Sequence, residues 1–453
     1  MTEAGRRVLV VAMDGTPHSF LEKAMAAGVM PRLARAAAGG SFRRIRSVYP
    51  TVSSCAWASF MTGLDPGGHG IFGFVDRRPE TWDTYIPTGR HIAAETLWEK
   101  LSRLGKRVVV INVPGTYPPR PVNGVLIGCF LCTDIGKISL DPAVVAYLKS
   151  IGYRIDVDAW EARRSLDGLL PEVREVMDRR AQAALHFMGT EEWDFFMVHF
   201  MSMDRMQHFL WRQAEGGDAA LREGVLDVYR RLDAHFGSLV DAAGPGVELV
   251  VLSDHGFAPI KREVQVNRWL EEQGYLVLRD RPDPNAGLRN VDPARTRAYS
   301  LIPGRVFLNL KGREGGGVVE PGPQAERLRR EIADRLLDWR DPADGARIVQ
   351  AVLDREAIYS GPEAHRAADL LAHPADGYDL KGRIVAESVF GSSPLTGMHT
   401  YGDAFLLLAG TGAPAGEDLS IADVHGILCL ILGVDPAPRT RQGTFPTSQP
   451  SCG

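Results

Sequence analysis

The residues predict an α/β protein built on a mostly parallel sheet, and three observations carry that prediction. Short apolar runs rich in β-branched and aromatic side chains recur at residues 8–13, 108–113, 193–200, 247–252 and 404–409. Each is bounded by Gly, Pro or charged residues, the pattern of strands covered on both faces. Helical patterns separate them, including 94–104, 171–188 and 219–243, and strand alternating with helix builds a parallel sheet. The composition agrees: 453 residues, 45% hydrophobic and 24% charged, are ordinary globular usage and enough for a large core.

Taken in order, residues 8–13 form an apolar run ending at Asp14-Gly15, and 42–48 read as a strand leading into the loop YPTVSSCAWASFMTG. A helix is expected over 55–62. The stretch 135–170 is a small excursion that covers the site. From 258 to 396 the alternation becomes irregular, with the Pro-rich RDRPDPNAG, a strand at 305–310, the cluster Gly315–Gly317 and a helix over 324–337. We therefore divide the chain into a catalytic α/β core, 1–257 and 397–440, an inserted cap or substrate lobe, 258–396, and a flexible tail, 441–453.

Charge and hydropathy exclude several classes of function. The net charge is −4 and no long stretch is overwhelmingly basic, so a nucleic-acid polymer gripped by a broad cationic surface is not expected. The apolar run before Asp14 is too short to span a bilayer and lacks a small-residue cleavage site, and no later stretch approaches the ~20 uncharged apolar residues a crossing requires. No membrane partner is expected. Five cysteines, Cys55, Cys129, Cys132, Cys429 and Cys452, suit a reducing compartment, so the expected location is cytoplasmic. Cys129-x-x-Cys132 lacks the second ligand pair of a zinc ribbon and reads as two buried thiols in or beside a strand.

In open α/β sheets ligands collect beyond the carboxyl ends of the strands. The residues found there are Asp14 after VVAM, Asp204 after FFMVHFMSM, and Asp254 with His255 after VVLS. Asp204 and His208 stand at i and i+4 of one helix face and can reach one ion; a capping Asp with an incidental His is the plainer alternative. His399, in TGMHTYGD, lies just before another apolar strand. Each reads separately as an ordinary loop or cap residue, but together they are the oxygen and nitrogen donors zinc accepts. Two groups of three would hold paired ions that clamp the attacking and leaving oxygens of a displacement at phosphorus. Thr51, Ser53, Ser54 and Cys55 offer a nucleophile, or a hydroxyl-rich N-cap, and at a helix N-terminus both roles are compatible.

The combination Met13-Asp14-Gly15, PTVSSCAW, TGLDPGGHGIFGF, Asp204-x-x-x-His208, SDHGF and Gly-Met-His399 resembles the alkaline phosphatase superfamily. Within it the resemblance is to the type I phosphodiesterase/nucleotide pyrophosphatase branch, and closest to a bacterial phosphohydrolase/phosphomutase group. It implies an alkaline-phosphatase-like three-layer sandwich with an inserted smaller α+β lobe. It implies two divalent ions, Zn²⁺ or alternatively Mn²⁺, one held by Asp204, His208 and His399, the other by Asp14, Asp254 and His255 with the Ser53 oxygen. Ser53 takes the place of the family's Thr or Ser nucleophile, and Thr51 supports the loop. His69 is implied to be a structural histidine near the site.

The resemblance further implies hydrolysis of a small-molecule phosphate ester, a phosphodiester or pyrophosphate, through a phosphoryl-Ser53 intermediate. Phosphomonoesterase or phosphomutase action on the same scaffold is the alternative. Ser54, Cys55 and Ala56 replace the Phe-Pro-Asn that follows the nucleophile in nucleotide pyrophosphatases, so nucleotides are one candidate substrate class and not the one the resemblance requires. Trp57, Phe72 or Phe74 would be the replacement for that stacking surface, with core packing as the alternative. SSCAW lacks the Pro and Arg of a sulfatase signature. Arg313 and Lys261, with Arg262 and Lys311, are candidates for binding substrate anion. Oligomeric state is not legible.

Overall fold

The structure, a computed structural model, describes residues 6–410, 416 and 418–436; the expected tail 441–453 and Cys452 lie outside them. A seven-stranded sheet runs in the order Gly40–Ile45, Ala404–Ala409, Val247–Leu252, Arg7–Met13, Phe195–Phe200, Val108–Ile111, Gly124–Ile127. Neighbours pair in parallel from Val247–Leu252 to Gly124–Ile127. Ala404–Ala409 alone is reversed, antiparallel to both of its neighbours. The α/β fold with a mostly parallel central sheet is therefore the one expected.

The Arg7–Met13 strand shows why the sheet is the middle of three layers. Successive side chains of a strand point to opposite faces. Leu9, Val11 and Met13 pack with residues of the helices Leu169–Thr190, Ser202–Glu215 and Ala219–Ala243. Val8, Val10 and Ala12 pack with the helices Ser53–Thr62, Leu97–Arg103 and Ile421–Ile431. A strand wedged between two helix layers has no polar face to show, hence the unbroken apolar run in its sequence.

Several element bounds differ from expectation. The helix expected over 55–62 starts two residues earlier, at Ser53. The strand expected over 305–310 ends at Leu308. Gly124–Ile127 had no strong sequence signal, being only four residues long. Two further sheets are made mainly from the irregular stretch, one ordered Tyr378–Lys381, Arg262–Gln265, Phe390–Gly391, the other Ala298–Leu301, Arg305–Leu308, Leu370–Pro374, Val349–Asp354. They share a third apolar cluster, which also takes in Trp82 from the hairpin of Asp76–Arg78 and Asp83–Tyr85.

Cys129 and Cys132 are free, buried thiols just beyond Gly124–Ile127. Burial pushes both thiols above the ordinary cysteine range, which keeps them unreactive. Among the described residues no helix is long and apolar enough to cross a membrane.

Candidate active site

The strands Val247–Leu252, Arg7–Met13 and Phe195–Phe200 lie side by side and parallel, so the residues leaving their carboxyl ends emerge together. Asp14 follows the middle strand directly, and Asp254 and His255 follow the first. The third leads into the helix Ser202–Glu215, whose first two turns carry Asp204 and His208. His399 arrives differently. It precedes the Ala404–Ala409 strand, and because that strand runs backwards its beginning lies at the same sheet edge. The ribbon Gly397–Thr400 pairs with Gly256–Pro259 and sets His399 opposite Phe257.

Gly15 makes the turn after Asp14 at φ +66, and a Cβ there would stand 2.7 Å from the Phe257 ring. Its N–H donates to Asp254 Oδ1 at 3.0 Å. Ser53 opens the helix Ser53–Thr62 as its first residue. The N-cap is Val52, which has no capping side chain, so the Ser53 hydroxyl is not spent on the helix end. It stands 3.2 Å from Asp14 Oδ1 and 3.2 Å from His255 Nε2. Thr51 instead donates to the Val48 carbonyl within the loop, at 3.1 Å.

The hydrogen bonds of the three histidines decide what the site is suited to hold. His208 Nδ1 lies 3.1 Å from the Gly397 carbonyl, His399 Nδ1 3.2 Å from the Thr51 carbonyl, and His255 Nδ1 3.0 Å from the Gly256 carbonyl. A carbonyl oxygen only accepts, so each Nδ1 carries the proton and each Nε2 presents a lone pair. Those lone pairs converge. His208 and His399 Nε2 are 3.0 Å apart, and Asp204 Oδ1 lies 3.4 and 3.1 Å from them. His255 Nε2 lies 3.3 Å from Asp254 Oδ2 and 3.8 Å from Asp14 Oδ1. Acceptors so placed repel one another unless a cation lies among them, and a backbone carbonyl behind each imidazole is the usual support of a metal-binding histidine.

The carboxylates give the same indication. Asp254 is fully buried and its Oδ2 has no hydrogen-bond partner. Burial and the nearby charge of Asp14 push the Asp254 carboxyl well above the usual range. Burial would also raise Asp204, but the positive charge and hydrogen bonds of His208 and His399 in their protonated forms outweigh it and hold that carboxyl well below the usual range; with both imidazoles neutral, a cation among them would supply that charge. Burial, with His399 beside it, lowers the His255 imidazole to about 3. Asp14, Asp254 and His255 form one possible metal-holding group, and Asp204, His255 and His399 another; the distances above add His208 to the second. His255 reaches both.

All six expected ligands and Ser53 are thus brought together. The three expected substrate contacts are not in the same position. Trp57 is buried in the core, and its Nε1 donates to Asp14 Oδ2 at 2.8 Å; it offers no stacking surface. Arg313 makes paired bonds to Asp369 at 2.9 and 2.7 Å and a further one to Glu314. Lys261 is engaged by Asp344 and by the Tyr378 hydroxyl. None of the three lines the cavity of about 290 Å³ that opens beside His208 and His399. His69 is a buried structural histidine, accepting from the Ile71 N–H and bonded to Ser59.

One residue of this network escaped the sequence reading. His199, inside the strand Phe195–Phe200, places Nε2 2.8 Å from Asp14 Oδ2. With Trp57 it occupies that oxygen, leaving Oδ1 to face Ser53. A polar side chain within an otherwise apolar strand was the available signal.

Comparison with known proteins accords with this geometry. The profile of the type I phosphodiesterase / nucleotide pyrophosphatase family matches residues 8–401. Among solved structures, phosphonoacetate hydrolase from Sinorhizobium meliloti 1021, in complex with phosphonoacetate, is 18% identical with a TM-score of 0.65, covering 95% of each chain. Murine ectonucleotide pyrophosphatase/phosphodiesterase 5, an inactive variant in complex with AMP, is 16% identical with a TM-score of 0.60, covering 96% of this chain and 97% of its own. No curated protein sequence matches.

Proposed function

The chain belongs to the type I phosphodiesterase/nucleotide pyrophosphatase family of the alkaline phosphatase superfamily, a family of phosphoric ester hydrolases, and on that premise we propose that it cleaves phosphodiester or pyrophosphate bonds through a phosphoryl-Ser53 intermediate. Two divalent cations, Zn²⁺ or Mn²⁺, would complete the site: Asp204, His208 and His399 would hold one, and Asp14, Asp254 and His255 the other.

The observation that carries this reading is that Asp204, His208 and His399 cluster next to Asp14, Asp254 and His255, with Ser53 Oγ 3.2 Å from both Asp14 and His255 and Asp254 Oδ2 left without a hydrogen-bond partner. When bound, the cations supply the positive charge that favours ionised serine near neutral pH and steadies the departing oxygen. Ser53 Oγ forms the new bond to phosphorus as the bond to the leaving oxygen breaks, and water later displaces Oγ from the same phosphorus. Asp14, fixed by Trp57 and His199, orients the nucleophile. The helix N-terminus at Ser53 offers backbone N–H groups to the phosphoryl oxygens.

The substrate is a small-molecule phosphate ester. Phosphonoacetate and AMP, bound in the related structures, support a compact phosphorus-centred ligand here. Residues 258–396 serve as the substrate lobe, since they supply one wall of the cavity beside His208 and His399. A cytoplasmic location fits the four free thiols among the described residues.

The test is turnover of p-nitrophenyl phosphate, its bis ester and its thymidyl diester by chelated enzyme resupplied with Zn²⁺ or Mn²⁺. Metal-restored cleavage with diester preference is expected. Metal-independent cleavage, or none with either ion, would overturn the reading. Analysis of products separates hydrolysis, which frees phosphate or a phosphate monoester, from return of the phosphoryl group to another hydroxyl of the substrate.

A further inference from the structure

We propose that the cavity beside His208 and His399 receives the departing alcohol of the substrate, so that this enzyme selects phosphate esters of apolar alcohols up to about the size of a fused two-ring group. The inference rests on the phosphohydrolase reading above and names its substrate class.

Position comes first. Of the six ligand residues, the cavity is lined by His208 and His399, and neither Ser53 nor Asp14, Asp254 or His255 lines it. In an in-line displacement the entering and departing oxygens lie on opposite sides of phosphorus, and paired cations clamp one each. Ser53 stands with Asp14 and His255, 3.2 Å from each, so the entering side is theirs. The departing oxygen falls on the side of His208 and His399, and whatever is bonded to it enters the cavity. This holds for a monoester, whose single substituent departs, and for the departing half of a diester.

The walls then define the chemistry. Phe74, Phe209 and Met398 line the cavity together with Leu371, Leu380 and Leu395 of the second lobe. The charged side chains among the lining residues are largely satisfied within the protein. Arg205 gives two bonds to Asp156, at 2.9 and 2.7 Å, and Lys381 is paired with Asp379 at 2.5 Å. Burial lowers the His373 imidazole to about 4 and leaves it neutral. Arg163 is exposed to solvent. A polyhydroxylated alcohol would have to strip its hydroxyls of water against these walls without full compensation, whereas an apolar one gains from burial. The volume, about 290 Å³, is about twice that of the roughly 150 Å³ apolar cavity known to take up benzene, which sets the size of the departing group.

The experiment compares methyl and hexyl phosphates, as monoesters and as symmetric diesters, by release of the alkanol from the metal-loaded enzyme. The two alcohols are of similar acidity and differ chiefly in apolar size. We expect kcat/KM to rise roughly tenfold or more from methyl to hexyl. Leu395→Asp and, at the partly exposed Ile302, Ile302→Asp each place a charge on the wall and should shrink that ratio at least threefold; glycerol phosphate should fall below hexyl phosphate. Turnover of p-nitrophenyl esters with no gain from methyl to hexyl, or with no alkyl ester cleaved, would overturn this inference alone. Absence of turnover on every ester would overturn the phosphohydrolase reading beneath it.

Discussion

His199 and Asp14 meet at 2.8 Å, Nε2 to Oδ2, both side chains fully buried. The pairing follows from strand register: His199 lies opposite Ala12 on the neighbouring parallel strand, close to where that strand ends at Asp14. Trp57 Nε1 reaches the same carboxylate oxygen at 2.8 Å, and the indole and imidazole rings meet edge to face, 4.9 Å between centroids. Two ring donors therefore consume Oδ2 and leave Oδ1 alone to face Ser53.

His199→Phe removes one of these donors while keeping a ring in the core. If Asp14, Asp254 and His255 hold a cation as proposed, affinity for it should fall about 10–100-fold, the usual effect of losing an outer hydrogen bond to a ligand. Metal titration by calorimetry checks this, and His199→Gln, which retains an N–H donor, should recover part of the loss.

Ser53→Ala should abolish turnover, by about 10³-fold or more, and leave metal content close to wild type. The hydroxyl is the nucleophile in this account, whereas the six remaining ligands suffice to hold both ions. Metal analysis beside steady-state rates reads both.

Arg313 separates an ion-pair role from substrate binding. Its guanidinium bridges Asp369 and Glu314, with the side chain 18% exposed. Arg313→Ala should destabilise the chain by roughly 1.5–3 kcal/mol, because it removes charge-assisted bonds to two buried carboxylates that keep Arg77 and Arg355 as remaining partners, and should leave KM for p-nitrophenyl esters unchanged. Thermal unfolding and kinetics on one preparation decide between ion-pair and substrate-binding roles.

Stability should fall with acid before the carboxylates titrate. Burial lowers His69 to about 3 and His425 to about 4, whereas an unfolded histidine titrates near 6.5. The unfolded chain thus takes up protons first. The contribution is complete above pH ~6.5 and is lost as pH falls through the folded values, with a slope of up to about 1.4 kcal/mol per pH unit per group. Urea unfolding with chelator between pH 7 and 5 should show it, and His69→Gln should flatten the slope.

Much of this centre was legible because a charged residue directly after a buried strand has little reason to be there unless the sheet edge is used. Asp14, Asp254 and His255 follow from that reasoning, and the i, i+4 spacing of Asp204 and His208 survives into one helix. His399 is harder. It precedes its strand, and only the reversed pairing of Ala404–Ala409 with Val247–Leu252 brings it to the cluster; pairing direction is a property of the assembled sheet, so the motif resemblance supplied this ligand. His199 was missed for a related reason, since its partner is set by register between strands 185 residues apart in sequence. The intramolecular partners of Arg313, Lys261 and Trp57 were not legible, because a cation or a ring in the sequence does not show which carboxylate or hydroxyl will engage it. The cavity wall was unreadable because residues far apart in sequence, from Tyr49 to His399, make it.

The central claim, that six side chains cage two cations beside Ser53, is tested most directly by anomalous diffraction at the zinc edge from crystals grown with Zn²⁺. The account predicts two peaks about 3.5–4 Å apart, one among Asp204, His208 and His399 and the other among Asp14, Asp254, His255 and the Ser53 oxygen. No peak at these residues, with the zinc bound elsewhere on the molecule, would contradict it.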